Sequence, residues 1–287
     1  MHIVTDGGMD LSPQQREGLE IYQVPLSIHL DGQSYQSGID VTVDRFYDLL
    51  ENAVGMPTTS LPSPGEFAQI YRELSRDDPE IISIHISSGL SSTLSAAQSG
   101  AAMVPEARVT IIDTLTLSGA MGWQVEAAAR AARAGWSVNR IVELVRQVRE
   151  ATEAVFTLPD LKYLIHGGRI GHLKGLVASL LKIIPLIGVS KENGKYYVRD
   201  QKRTFGRALA ALVDVIAQDH PDGTPLRVQV AHANNPTGAE QLRDMIDRRF
   251  RCQWLPACSI APVLGAHTGP GLVGVVYAAL DTFPALP

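Results

Sequence analysis

Apolar residues recur along this chain in two alternating rhythms. Residues 81–86 form an almost unbroken apolar run of strand length, the pattern of a strand buried on both faces. Runs at 2–6, 22–30, 109–113, 155–158, 226–231, 259–263 and 272–279 read as further strands. Between them apolar side chains fall three and four apart, as in Phe46, Leu49, Leu50 and Ala53, or Phe67, Ile70, Tyr71 and Leu74, or Ile141, Leu144, Val145 and Val148. That spacing places each set on one face of a helix. Further helices are predicted over 94–103, 118–134 (Ala-rich), 161–165, 203–218 and 237–250. Boundary signals agree: Ser12-Pro13 starts a helix, Ser63-Pro64-Gly65-Glu66 is a capping box with proline in the first turn, and Ser137 can cap another. Gly167-Gly168 ends a short helix, and Asn193-Gly194 between 186–190 and 195–198 marks a hairpin. The repeated strand–helix alternation predicts an α/β fold, two-lobed, with largely parallel sheets flanked by helices. The expected lobes are residues 1–155 and 156–287, with no internal repeat.

Composition narrows the class. A chain of 287 residues, 45% hydrophobic, can bury roughly 75% of its unfolded surface without help from metals or disulfides. Cys252 and Cys258 are the only cysteines. They lack the histidine partners of a zinc site and are too few for a disulfide framework, so both are expected in or near the core in a reducing compartment. The opening MHIVTDGGMD has neither a basic nor a long apolar segment, which predicts a cytoplasmic protein. The greasiest stretch, residues 176–189, contains Lys182 and Pro185 and is too short to span a bilayer. The net charge of −5 conceals an asymmetry, because residues 162–207 carry ten Lys/Arg against two Asp/Glu. These positions are scattered, which argues for a local anionic partner or a solvated face rather than for nucleic acid.

Three loops and a histidine carry the candidate chemistry. Ser87, Ser88, Ser91, Ser92 and Thr93 crowd a turn around Gly89, directly after the buried strand and before a helix. Ligands of open α/β sheets sit at such strand ends, where helix N-termini offer unpaired N–H groups. One cap needs one hydroxyl, and five point to an anion. In residues 58–63 the cap role accounts for Ser63 but not for Thr59 or Ser60, which Pro57 and Pro62 would hold extended. Arg169, in Gly167-Gly168-Arg169-Ile170-Gly171, can pair with a carboxylate or phosphate. His267 is flanked by Gly265 and Gly269 in what reads as an accessible loop. Asp6, at the end of the first strand, is either an orienting group for this site or a turn residue.

No G-x-S-x-G elbow, H-E-x-x-H helix or P-loop occurs, and no dinucleotide-binding glycine fingerprint follows the first strand. The residues therefore predict recognition rather than catalysis, with no cofactor and no metal. Two other readings stay open: an enzyme acting on a small phosphorylated metabolite, with His267 as general acid or base, and an interaction module without a ligand.

Taken together, the opening strand with Asp6, TTSLPSPGEF from Thr58, IHISSGLSSTLSAA from Ile84, the segment 113–122, LKYLIHGGRIG from Leu161 and GAHTGPG from Gly265 resemble the DegV family of bacterial fatty-acid-binding proteins, over essentially the whole chain. The resemblance implies two α/β domains with a lipid tunnel between them. It implies a long-chain fatty acid such as palmitate whose carboxylate is held by Thr59 and Ser91, with Arg169 and His267 close to it; Ser60, Ser88, Gly89 and Ser92, from the same two hydroxyl-rich turns, complete the expected ligand-binding set. It also implies an ATP-dependent fatty-acid kinase as partner, with phospholipid synthesis downstream, and the basic segment would dock that kinase or touch anionic lipid. Two features depart from the family pattern: Asp6-Gly7-Gly8 stands where an acidic-Ser-Thr opening is usual, and Ser92 replaces a glycine.

Overall fold

The computed structural model of the chain describes residues 1–173 and 183–287. The first part runs β1 (His2–Asp6), α1 (Pro13–Arg16), β2 (Ile21–Val24), β3 (Ser27–Leu30), β4 (Gln33–Gln36), α2 (Val43–Glu51), β5 (Thr58–Ser60), α3 (Pro64–Leu74), β6 (Glu80–His85), α4 (Thr93–Ala102), β7 (Arg108–Asp113), α5 (Ser118–Arg133) and α6 (Val138–Ala151). The second runs β8 (Glu153–Thr157), α7 (Lys162–His166), a 3-10 turn (Arg169–His172), β9 (Ile184–Val189), β10 (Tyr196–Lys202), α8 (Phe205–Asp219), β11 (Pro225–His232), α9 (Pro236–Asp247), β12 (Arg251–Trp254), β13 (Cys258–Ser259), α10 (Pro262–Thr268) and β14 (Val273–Ala279).

The first sheet has the order β2-β1-β6-β7 and is parallel throughout. Its central strands bury both faces, which is why β6 reads as a continuous apolar run. Val4 and Ile81 face Phe67, Tyr71 and Ala97 of α3 and α4, while Ile3, Ile82 and Ile84 face α5 and α6. The predicted capping box forms at Ser63 with Glu66, and the predicted cap at Ser12 is a second such box, closed by Gln15. A small antiparallel sheet, β4-β3-β5, stands beside this layer. The run 22–30 therefore divides into strands of two different sheets, with Pro25, which has no N–H to donate to a ladder, between them.

The second sheet has the order β10-β9-β8-β14-β11-β12, with β13 also on β11. Here the largely parallel expectation fails: pairing is parallel only from β11 to β12 and β13, and antiparallel elsewhere. For β9 and β10 the reason is local, because the Asn193-Gly194 turn joins them as a hairpin; for β8 and β11 it is the antiparallel strand β14 inserted between them. Helices α8 and α9 cover one face. The other face meets α5, where the Trp123 indole donates to Gln229 Oε1 of β11 at 2.6 Å. Helix α5 is thus enclosed by both sheets, and its alanines are small enough to let it sit there. No helix among the described residues is long and apolar enough to cross a membrane. Part of the apolar stretch 176–189, including Lys182, lies outside the described residues.

Candidate functional site

Three segments distant in sequence meet where the sheets face each other. Strand β5 pairs with β3, Thr59 opposite Ile28, and so holds Thr59 in place. Helix α10 begins with Pro262 at its first turn and ends at Gly269, whose φ of 70° breaks the helix. His267 therefore occupies the last turn of a helix, not the loop its flanking glycines suggested. Its Nε2 lies 2.8 Å from Thr59 Oγ1. Burial, with help from the nearby Arg169 and His166 charges, pushes the His267 pKa down to about 4, so the ring is neutral at neutral pH. Its Nδ1 is buried with no hydrogen-bond partner among the described residues. A neutral ring that donates from Nε2 leaves the Thr59 hydroxyl proton free for an anion.

The turn after β6 supplies the other hydroxyl. Ser91 Oγ lies 2.8 Å from Thr93 Oγ1 and accepts from the Thr93 N–H at 3.3 Å. Arg169 ties this turn to the end of α7, donating from Nε to Leu90 O at 3.3 Å and from Nη1 to Gly167 O at 2.6 Å. Thr59, Ser60, Ser91, Arg169 and His267 all line one cavity of about 350 Å³, whose remaining walls are mostly apolar and include Leu26, Leu90, Tyr196 and Leu264. Arg169 is the single formal charge in that lining among the described residues. A narrower compartment of about 50 Å³, almost wholly apolar, shares Leu117, Leu264 and Thr268 with it and extends along Phe156 and Val276.

The remaining candidates fall elsewhere. Ser88 is exposed and its N–H points to Asp113. Gly89 faces the β9–β10 turn, where any β-carbon would overlap the Asn193 carbonyl. Ser92 is exposed at the start of α4 and makes no capping bond, so the side chain it adds relative to the family pattern meets solvent. The structure thus moves Ser88, Gly89 and Ser92 out of the cavity, because the turn is oriented by its contact with the hairpin; Ser87 Oγ donates to Gly194 O at 2.9 Å. The Ser60 hydroxyl is engaged by His29 Nε2 at 2.9 Å, a partner that the sequence gave no reason to single out. Tyr196 is a further lining residue without a sequence signal, and Thr268, next to His267 in the GAHTGPG segment, is another that was not singled out.

Asp6 serves the scaffold. It is wholly buried, accepts from the Gly8 and Ile86 amides, and lies 2.9 Å from His85 Nδ1. His85 Nε2 in turn lies 2.7 Å from Ser83 Oγ, which meets the Tyr71 hydroxyl. This Asp–His–Ser series has the contacts of a nucleophilic triad, but all three residues are fully buried between β6 and α3. Its effect is to fix Ile86 at the start of the serine turn.

Asp10 links the lobes at the start of α10. It accepts from the Ala261 N–H at 2.9 Å and from Ser118 Oγ at 2.6 Å, and burial pushes its carboxyl up to about 7. The unfolded chain releases that proton near the ordinary value of 3.8. Between these values the folded state holds the proton more tightly, so this group's contribution to stability falls as pH rises from about 4 to 7. Asp10→Asn keeps the Ala261 bond on its carbonyl oxygen, can donate from its amide nitrogen to Ser118 Oγ in place of accepting from it, and removes the ionisation. The variant should gain on the order of 2–4 kcal/mol over the parent at pH 8, and the difference should vanish at acid pH in urea unfolding. His267 has the opposite sign, with stability lost as pH falls from 6.5 towards 4, so the variant–parent difference isolates Asp10.

A two-lobed α/β chain with a hydroxyl-lined cavity between its sheets, bordered by Arg169, defines the class. Residues 1–280 match the family described as uncharacterised proteins of the DegV family, and the chain belongs to that family. It is 36% identical over 274 residues to a DegV domain-containing protein of Staphylococcus aureus strain MRSA252, covering 96% of this chain and 97% of that one. It also superposes on a fatty-acid-binding DegV family protein from Thermus thermophilus with a TM-score of 0.88 and 26% identity, covering 97% of this chain and 99% of that one. A similar match is DegV, a fatty-acid-binding protein from Bacillus subtilis, with a TM-score of 0.86, 27% identity, and coverage of 97% and 98%.

Proposed function

We propose that this protein binds a long-chain fatty acid of the palmitate kind and presents its carboxylate to an ATP-dependent fatty-acid kinase, which makes the acyl-phosphate used in phospholipid synthesis. One observation carries the binding reading: Thr59, Ser91, His267 and Arg169 converge on the polar end of a cavity that borders an apolar compartment. An ionised carboxylate requires such donors before it can leave water. About 15 methylenes at ~0.8 kcal/mol each supply a gross gain of roughly 12 kcal/mol, from which association removes several. Neutral hydroxyl donors leave the acid exchangeable, as a carrier needs. The description of the Thermus thermophilus and Bacillus subtilis proteins as fatty-acid-binding supports the same ligand class. In this reading residues 1–155 and 156–287 act as two lobes around the ligand, in the cytoplasm, without cofactor or metal.

Native mass spectrometry of the purified protein tests it. One fatty acid per chain is expected, removable by delipidation; an empty chain that turns over a phosphorylated metabolite would replace the carrier with an enzyme.

The kinase role rests on the basic segment. Arg199 is not available for it, since it bonds the Tyr197 hydroxyl and both Asp219 oxygens, and Lys202 pairs with Asp200 at 2.6 Å. Arg203 and Arg207 are exposed, while Lys174 and Lys182 lie outside the described residues. Arg203→Glu with Arg207→Glu should lower acyl-phosphate formation at least tenfold through lost steering and docking, with lipid occupancy unchanged. Undiminished phosphorylation would remove this face from the docking reading; transient contact with an anionic membrane surface is the other role open to it.

A further inference from the structure

The N-terminal end of α5 walls the lipid cavity, and towards its C-terminal end the same helix borders a second, separate one. This cavity, of about 510 Å³, lies between α1, α5, β11, β12 and the segment 280–287. Its polar side is built from Gln15, Glu126, Arg130 and Arg227.

Among the described side chains that line it, the charges do not balance. Glu126, 3% exposed, receives Arg130 on Oε1 at 2.8 Å and Gln15 Nε2 on Oε2 at 2.9 Å. Arg227 reaches the same Oε2 only at 3.4 Å, and its Nε is buried with no partner among the described residues. The Arg227 side chain is 11% exposed, with its guanidinium carbon 4.9 Å from the ring centres of both Trp123 and Phe283. Two guanidinium groups therefore share one carboxylate whose oxygens are already engaged. Burial disfavours the Arg227 cation, and an arginine has five N–H donors to satisfy. The opposite wall is apolar in its side chains, from Leu280, Phe283, Pro284 and Leu286, and ends at Pro287, whose carboxylate pairs with neither arginine.

We propose that this cavity is a second ligand site, for a small organic anion whose carboxylate or phosphate group pairs with Arg227 and Arg130 while its apolar body lies against the segment 280–286. A forked arginine contact suits either head group, and the apolar wall favours an anion that carries carbon over an inorganic one.

Calorimetric titration of the full, lipid-loaded chain tests this with three probes: benzoate, phenyl phosphate and inorganic phosphate. At least one organic anion should bind saturably, at least about tenfold tighter than inorganic phosphate, given the apolar surface it buries. Which of the two organic anions binds tighter identifies the head group. Arg227→Gln should abolish the binding. Gln253→Glu, on the exposed rim, adds a repelling charge without touching the core and should weaken it several-fold at an unchanged unfolding temperature. Thr59→Ala/Ser91→Ala should leave it intact, which separates this site from the lipid site. No saturable binding by either organic anion, inorganic phosphate binding as tightly as both, or binding unchanged in both Arg227→Gln and Gln253→Glu would overturn the proposal.

Discussion

Under the proposed fatty-acid reading, Thr59→Ala combined with Ser91→Ala should leave the purified protein without bound fatty acid while the chain stays folded. A hydrogen bond to a charged group contributes about 1.5–3 kcal/mol. Losing two therefore lowers affinity by a factor of roughly 10² to 10⁴. The cost to folding is much smaller. Thr59 and Ser91 are only partly buried, and the bonds they give up are those to His267 and Thr93. Far-UV circular dichroism should be unchanged and the unfolding temperature of the delipidated protein nearly so. Lipid extraction with native mass spectrometry reads the occupancy, and full occupancy in the double variant would sink the head-group assignment. Either single variant should show an intermediate loss.

Gly167→Ala should be almost as damaging, for a reason unconnected with backbone freedom. The φ of −71° and ψ of −5° at Gly167 are open to any residue, and helix propensity alone would favour alanine. A β-carbon there, however, would overlap His267 Nδ1. The imidazole must then swing away from Thr59 and lose the 2.8 Å contact that orients the hydroxyl. Overpacking of this kind destabilises by about 1–3 kcal/mol, and lipid affinity should fall at least tenfold. The diagnostic is a cycle with His267→Ala. Removing the ring makes room for the methyl group, so the double variant should be more stable than the sum of the single effects predicts. Strict additivity in thermal unfolding would show that the two residues do not share the space.

Much of the architecture could be read from local sequence. The helix start at Ser12-Pro13, the capping box at Ser63, helical spacing from Phe67 to Leu74, and the apolar run of β6 are signals carried within a few residues, and each appears where expected. Strand direction is not such a signal. The second sheet turned out mostly antiparallel because β14 is inserted between β8 and β11, a pairing between segments far apart in the chain. The helix at Pro262–Thr268 was hidden for a related reason: the glycines around His267 read as a loop until Pro262 and Gly269 are seen as its two ends.

The hydroxyl-rich turns, Arg169 and His267 were visible as residue types suited to an anion, and the sequence by itself settled that much, along with the α/β class and family membership. Only the tertiary structure separated Ser91, which lines the cavity, from Ser88, Gly89 and Ser92, which do not. Thr59 and His267 stand 208 positions apart and meet at 2.8 Å. Their contact depends on β5 pairing with β3, on α10 being anchored through Asp10, and on Gly167 leaving room for the ring. The neutrality of His267 is equally a product of burial. Composition can supply the donors, but desolvation and direction come from packing between segments that no local pattern links.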